Sequence, residues 1–289
     1  MAIKSYKGFD KNLRCRDFQY EIGGIYEMDG KIKMRNRGFH ACESPFDVFD
    51  YYTMIDSRFC EVEQDGNISK EDRRTKICSS KIKIKAELKL ADMINLGVEW
   101  LKEITLPEKI KTSIKDNSSG NDAQIGSSGY NAKIGSSGNN AQIGSSGNNA
   151  KIGSSGDGAK IGSSGNNAHI GSSGNDAQIG SSGNDAKISS SGYNAQISSS
   201  GNNAQIGSSG YGAKIDSTGE DCVIMCAGIN SVAKASKGSW ITLSEWSYSE
   251  GKQRYIPICV KTEFVDGEKI KADTYYSLKG GVFVEWIND

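Results

Sequence analysis

With 35 basic and 35 acidic side chains among 289 residues, the chain carries no formal net charge, which argues against a general nucleic-acid or membrane-surface role. No apolar run reaches the roughly 18 residues of a membrane-spanning helix, and the N-terminus lacks the apolar centre of a signal peptide. Seven cysteines without a secretion signal read as reduced cytosolic thiols.

Residues 1–106 read as an α+β head domain. Residues 20–26 and 31–34 alternate on either side of Asp29-Gly30, which predicts a β-hairpin with a two-residue turn. Ser44 as N-cap, Pro45 at the first helical position and Asp47 in the first turn predict a short helix over 46–52. Its inward side chains are Phe46, Val48, Phe49 and Tyr52. Residues 59–63 and 81–88 alternate as strands, and 91–102 has helical periodicity that Pro107 ends.

Chemistry-bearing residues are few. The chain has two histidines, and His40 precedes the capped segment with Cys42 and Glu43 beside it. Glu61 and Glu63 alternate on a strand. A nucleophile–base pair or a ribosyl-transfer glutamate can be assembled from these, so His40, Glu61 and Glu63 are the weak catalytic candidates. The structural reading is favoured: His40 packs a turn, Cys42 is buried and the glutamates face water. Tyr6, Lys7, Arg14 and Arg16 are candidates for a small anionic-ligand pocket.

From residue 117 to 215 one nine-residue phrase, small-Ser-Ser-Gly-x-x-Ala-x-Ile, occurs eleven times. A fixed short period marks a stacked solenoid, in which one unit cannot bury its apolar face alone. Ala-x-Ile alternates as a strand with Ala and Ile inward and a long polar residue outward. Ser-Ser-Gly-x-x reads as turn, with Gly supplying positive φ and Asn or Asp tolerating the left-handed region. The fold class is therefore mainly β: a nonapeptide β-solenoid over 107–235, between the head and a small β cap. A two-sided roll of two units per coil is favoured, with a triangular coil of three units as the alternative.

The outward residues give the candidate binding set: Lys133, Lys151, Lys160, His169, Lys187 and Lys214. At an 18-residue coil Lys133, Lys151, His169 and Lys187 align; at 27 residues Lys133, Lys160, Lys187 and Lys214 align. Such a column suits a phosphate backbone or an acidic protein face, although a plain solvated wall is the favoured reading. Tyr193 and Tyr211 complete the binding set, and they stack at one turn edge in the two-sided roll.

The phrase is similar to the calcium β-roll repeat Gly-Gly-x-Gly-x-Asp-x-apolar-x. Here the second Gly is Ser, and the Asp slot holds Asp only at Asp122, Asp176 and Asp185. Structural calcium is accordingly disfavoured, no cofactor is expected, and a ladder of hydrogen-bonded Asn and Ser is expected instead. Residues 219–235 read as decaying repeat, with Cys222 and Ile224 in the Ala and Ile slots. In the cap, 236–289, strands are predicted at 240–243 and 256–264, and a closing hairpin turns at Gly280-Gly281.

The run Gly38-Phe39-His40-Ala41-Cys42-Glu43-Ser44-Pro45-Phe46-Asp47-Val48-Phe49 resembles a phage and prophage family of unknown function. The likeness extends over 1–105 and reappears at Val265-Asp266-Gly267-Glu268-Lys269-Ile270-Lys271-Ala272-Asp273-Thr274-Tyr275-Tyr276. It implies a phage context, in the cytoplasm of an infected host or in the virion, and no particular chemistry. The expected function is a non-catalytic interaction protein, with the solenoid as rigid spacer and repeated binding surface, assembling as a homo-oligomer. One alternative is an intracellular anti-defence factor that captures a host protein or a nucleotide signal, hence a small anionic ligand. The other is an ADP-ribosyltransferase-like head. Membrane and nucleic-acid partners are disfavoured.

Overall fold

The computed structural model describes residues 2–71, 75–105 and 117–287. They form two compact units, 1–100 and 101–289.

The first unit contains β1 (Ile3–Phe9), β2 (Arg14–Cys15), β3 (Phe18–Gln19), β4 (Ile25–Glu27), β5 (Phe39–Cys42), β6 (Arg58–Lys70) and β7 (Lys76–Leu88). The main sheet has the order β4-β7-β5-β1-β6, and β6 also pairs with β7, so the sheet closes on itself. The seam is between β1 and β5, whose register holds at one pair, Tyr6↔Cys42. Phe9, Val62, Ile82 and Ile84 fill the inside. Gln64 is buried among them, with Nε2 donating to Phe39 O and Ser79 Oγ and Oε1 accepting from Ser5 Oγ. A buried polar side chain is tolerated when its hydrogen bonds are met.

Two local expectations fail here. The hairpin of 20–26 with 31–34 does not form, although Gly30 does turn, with φ +86°. β4 pairs instead with Lys81–Lys83 of β7, where Tyr26 joins a ring cluster with Phe18 and Tyr20. Tertiary packing of that ring outweighs the local turn signal. The segment after Pro45 is a 3-10 helix, Phe46–Asp50, without a side-chain cap. Thr75 ties the segment down from a distance: its Oγ1 accepts from Ser44 N–H and donates to Asp47 Oδ2. Phe46, Val48 and Phe49 are buried as expected. Helix α1 (Leu90–Ile104) buries Met93, Ile94, Val98 and Leu101 on one stripe; Pro107 lies outside the described residues.

In the second unit, fourteen short strands from β8 (Asn117–Ser118) to β21 (Val232–Ala235) alternate between two parallel sheets. Lys133 pairs with Lys151 and Gln142 with Lys160, an 18-residue step in both sheets. The solenoid is the two-sided roll, of about seven coils, or about 34 Å long at 4.8 Å per rung. Its core is a stack of Ile and Ala side chains.

The strands span x-Ile-small-Ser, so the first Ser of each unit belongs to a strand and points inward, not to the turn. Ten such hydroxyls, from Ser136 to Ser217, are buried without a hydrogen-bond partner among the described residues. Rungs about 4.8 Å apart are too far for direct hydroxyl–hydroxyl bonds, so the expected serine ladder does not form. The asparagine ladder does. Asn121 Oδ1 accepts from Asn139 N–H at 3.0 Å, Asn139 from Asp157 at 3.0 Å, and Asn148 from Asn166 at 2.9 Å.

The positive φ falls on the second x residue, from Asp122 (56°) to Asp221 (55°), with Gly158 and Gly212 where that residue is Gly. The conserved turn glycine of the phrase is needed for another reason. A Cβ at Gly174 would lie 2.0 Å from the carbonyl oxygen of Gly156, one coil below.

Beyond the repeats both sheets continue. β22 (Trp240–Ser249) adds in parallel to Val223–Cys226, and β23 (Arg254–Phe264) pairs with it antiparallel as the edge strand. β24 (Tyr276–Lys279) adds to β21 and turns into β25 (Val282–Glu285) through Gly280 and Gly281, both at positive φ. The closing hairpin is thus the two-residue turn expected of Gly-Gly.

Candidate functional site

The seam of the head sheet opens into a cavity of about 650 Å³. Past the single pair Tyr6↔Cys42, β1 and β5 separate, and the Lys7 ammonium crosses the gap to donate to His40 O at 3.0 Å. Lys7 is 5% exposed and forms the cavity floor. Arg16 and Arg35 stand at its mouth, and His40, Lys76, Tyr20, Tyr51 and Tyr52 line its sides. No carboxylate is among the described lining residues.

Cys15 sits in this field. Its Sγ accepts from Tyr52 Oη at 3.0 Å and from Lys7 Nζ at 3.4 Å. Burial pushes the Cys15 thiol up, but the Lys7 charge, these hydrogen bonds and Arg16 outweigh it and hold it below its usual value. His40 is also lowered, which for a base disfavours the charged form: burial, then the Lys76 and Lys7 charges, bring it to about 4. Its Nε2 accepts from Arg35 N–H at 3.0 Å, which a neutral ring allows. Cys42 is pushed up to about 12 by burial, then by Asp47, and is inert.

The cavity gathers Tyr6, Lys7 and Arg16 from the expected anion pocket, but not Arg14, whose Nε donates to Gln19. The catalytic candidates are separated. His40 lines the cavity, whereas Glu61 pairs with Lys4 and Glu63 with Lys85, each at 2.9 Å and away from it. Cys15, Arg35, Lys76, Tyr51 and Tyr52 went unread as site residues. They come from separate segments, and no spacing in the sequence marks them.

In the solenoid Lys133, Lys151, His169 and Lys187 align in register and are exposed on one sheet. Gly135, Gly153 and Gly171 run beside them, leaving a shallow trough of about 940 Å³ along the face. Lys160 and Lys214 lie on the opposite sheet. Lys160 is 5% exposed, and Lys214 Nζ rests 4.4 Å and 4.5 Å from the ring centroids of Tyr275 and Trp286. The six side chains are therefore not one wall. Tyr193 and Tyr211 meet edge-to-face at 6.1 Å on one turn edge.

Among the described residues no three His, Cys, Asp or Glu side chains are placed to hold a metal ion, and no helix is long and apolar enough to cross a membrane. No curated protein and no solved structure matches the chain. Residues 3–96 match the family described as Domain of unknown function (DUF7666), so the sheet that carries the cavity is an N-terminal DUF7666 domain.

Proposed function

We propose that this is a non-catalytic interaction protein of phage or prophage context, acting in the infected cytoplasm or in the virion. Its solenoid serves as rigid spacer and repeated binding surface, and the chain self-associates. The observation that carries this reading is the unbroken 18-residue register, which sets one exposed row of cationic side chains beside a row of glycines. Self-association is supported at the other end of the roll. There β23 is an eleven-residue edge strand with Ile258 55% and Val260 62% exposed, the kind of edge that pairs with a second strand. Light scattering on the purified chain is the test. A multiple of the 31.1 kDa chain mass that falls to one chain in Val260→Lys is expected; a single chain at tens of micromolar would reject self-association.

The head cavity favours a second reading, capture of a small anionic signal, because its cations have no carboxylate beside them in the lining. The transferase alternative gains no such support, since Glu61 and Glu63 are engaged elsewhere.

A further inference from the structure

We propose that the head cavity binds an aromatic phosphate monoester of nucleotide size, with its phosphate between Lys7 and Arg16 and its ring among the tyrosines. This rests on the capture reading of the head and specifies the ligand.

The cationic groups are not equally engaged. Arg35 pairs with Glu71, and Lys76 Nζ lies 3.9 Å from the Tyr51 ring centroid. Arg16 makes no hydrogen bond or ion pair among the described residues, is exposed, and lines the cavity. Lys7 spends two of its three ammonium protons, on His40 O and Cys15 Sγ. One donor of a 5% exposed ammonium, which also lies 5.3 Å and 5.8 Å from the Phe9 and Tyr20 ring centroids, and a whole guanidinium therefore remain. A buried charge is costly unless paired, and a dianion placed between them supplies the pair. A guanidinium offers the planar fork that phosphate oxygens accept.

Arg16 and Arg35 both sit in tight turns, with φ of +56° and +63°, and both turns bring a cation to the lining of one cavity. The titrations agree in sign, because Cys15, His40 and Lys76 are all shifted down. For His40 and Lys76 burial is the largest cause; Cys15, which burial alone would raise, is the group that reports the Lys7 and Arg16 charges.

Size and lining set the rest of the ligand. About 650 Å³ is far more than a bare phosphate fills and lies within the range of small-molecule sites. Tyr20, Tyr51 and Tyr52 supply flat apolar surface on the walls, which favours a ring over a sugar alone.

Isothermal titration of the full chain with 5′-AMP, ribose 5-phosphate, adenosine and inorganic phosphate tests this. AMP is expected to bind once per chain, with adenosine and ribose 5-phosphate each at least tenfold weaker. Arg16→Gln, at an exposed residue without hydrogen bond or ion pair among the described residues, should weaken AMP at least tenfold while the thermal melt stays unchanged, and Arg16→Lys should recover part of the loss. AMP binding that is absent, or equal in wild type and Arg16→Gln, overturns the proposal. Inorganic phosphate binding as tightly as AMP overturns the aromatic assignment while leaving anion capture standing. No binding by any of the phosphates overturns both.

Discussion

Glycine in the repeat does two different jobs, and only one of them shows in composition. At Gly158 and Gly212 it occupies the left-handed slot that Asn or Asp fills in the other coils. At Gly174 and its equivalents φ is ordinary, and the constraint is the carbonyl of the coil below. Gly174→Ala should therefore lower stability by about 1–3 kcal/mol or more, because backbone rather than a flexible side chain would have to move. Gly153→Ala, with nothing within 4 Å of the added carbon, should leave the urea midpoint unchanged. Reading the turn glycine as a positive-φ residue was the natural inference from its neighbours. The close approach belongs to residues 18 apart, and no local rule contains it. The Asn and Asp positions were legible because their preference is local. His40 gives a pH signature at the same scale. Its folded value of about 4 lies below the ordinary 6.5, so the unfolded chain binds more protons between these limits. Stability should be undiminished by this group above about pH 6.5 and fall as pH drops towards 4. His40→Gln should flatten that part of the curve, and the His40 ring resonances should titrate near 4.

At the level of the element, the unit of the solenoid is two phrases, not one. Deleting 156–173 removes one full coil and restores every column in register. Deleting 156–164 removes half as much chain but rotates everything downstream by half a turn, so that the two outer faces exchange. Those faces differ: Lys133 and Lys151 are exposed, whereas Gln142 and Lys160 are buried at 9% and 5% exposure. The shorter deletion should therefore melt at a lower temperature than the longer one, as followed by circular dichroism. The strand–turn alternation was legible in Ala-x-Ile, and the six residues between favoured the two-sided coil over the triangular one, which the register then excludes. The head hairpin was not. Asp29-Gly30 is a turn signal, but Ile25 and Tyr26 found a better partner in β7, far along the chain. The short helix was misjudged for a similar reason, because Thr75, from far along the chain, takes up Ser44 N–H and the Asp47 carboxylate and Ser44 caps nothing.

Over the whole molecule, regular and irregular parts differ in how much of them composition reveals. A periodic stretch repeats its own evidence eleven times, whereas the cavity draws Lys7, Arg16, Arg35, His40, Tyr52 and Lys76 once each from five separate segments. Lys7 and Arg16 were legible as cations near aromatic residues; that Lys7 would replace a missing strand hydrogen bond at the seam was not. The same contrast bears on mechanical load. Each coil is hydrogen-bonded to the coil above and the coil below, always 18 residues away. Tension applied along the axis can then be relieved one coil at a time, like a row of stitches. Each release would pay out 18 residues, about 60 Å of slack, in place of a rung of about 4.8 Å. A short rod of this construction doubles as a shock absorber, able to lengthen by several times its own height while the coils not yet opened keep their shape.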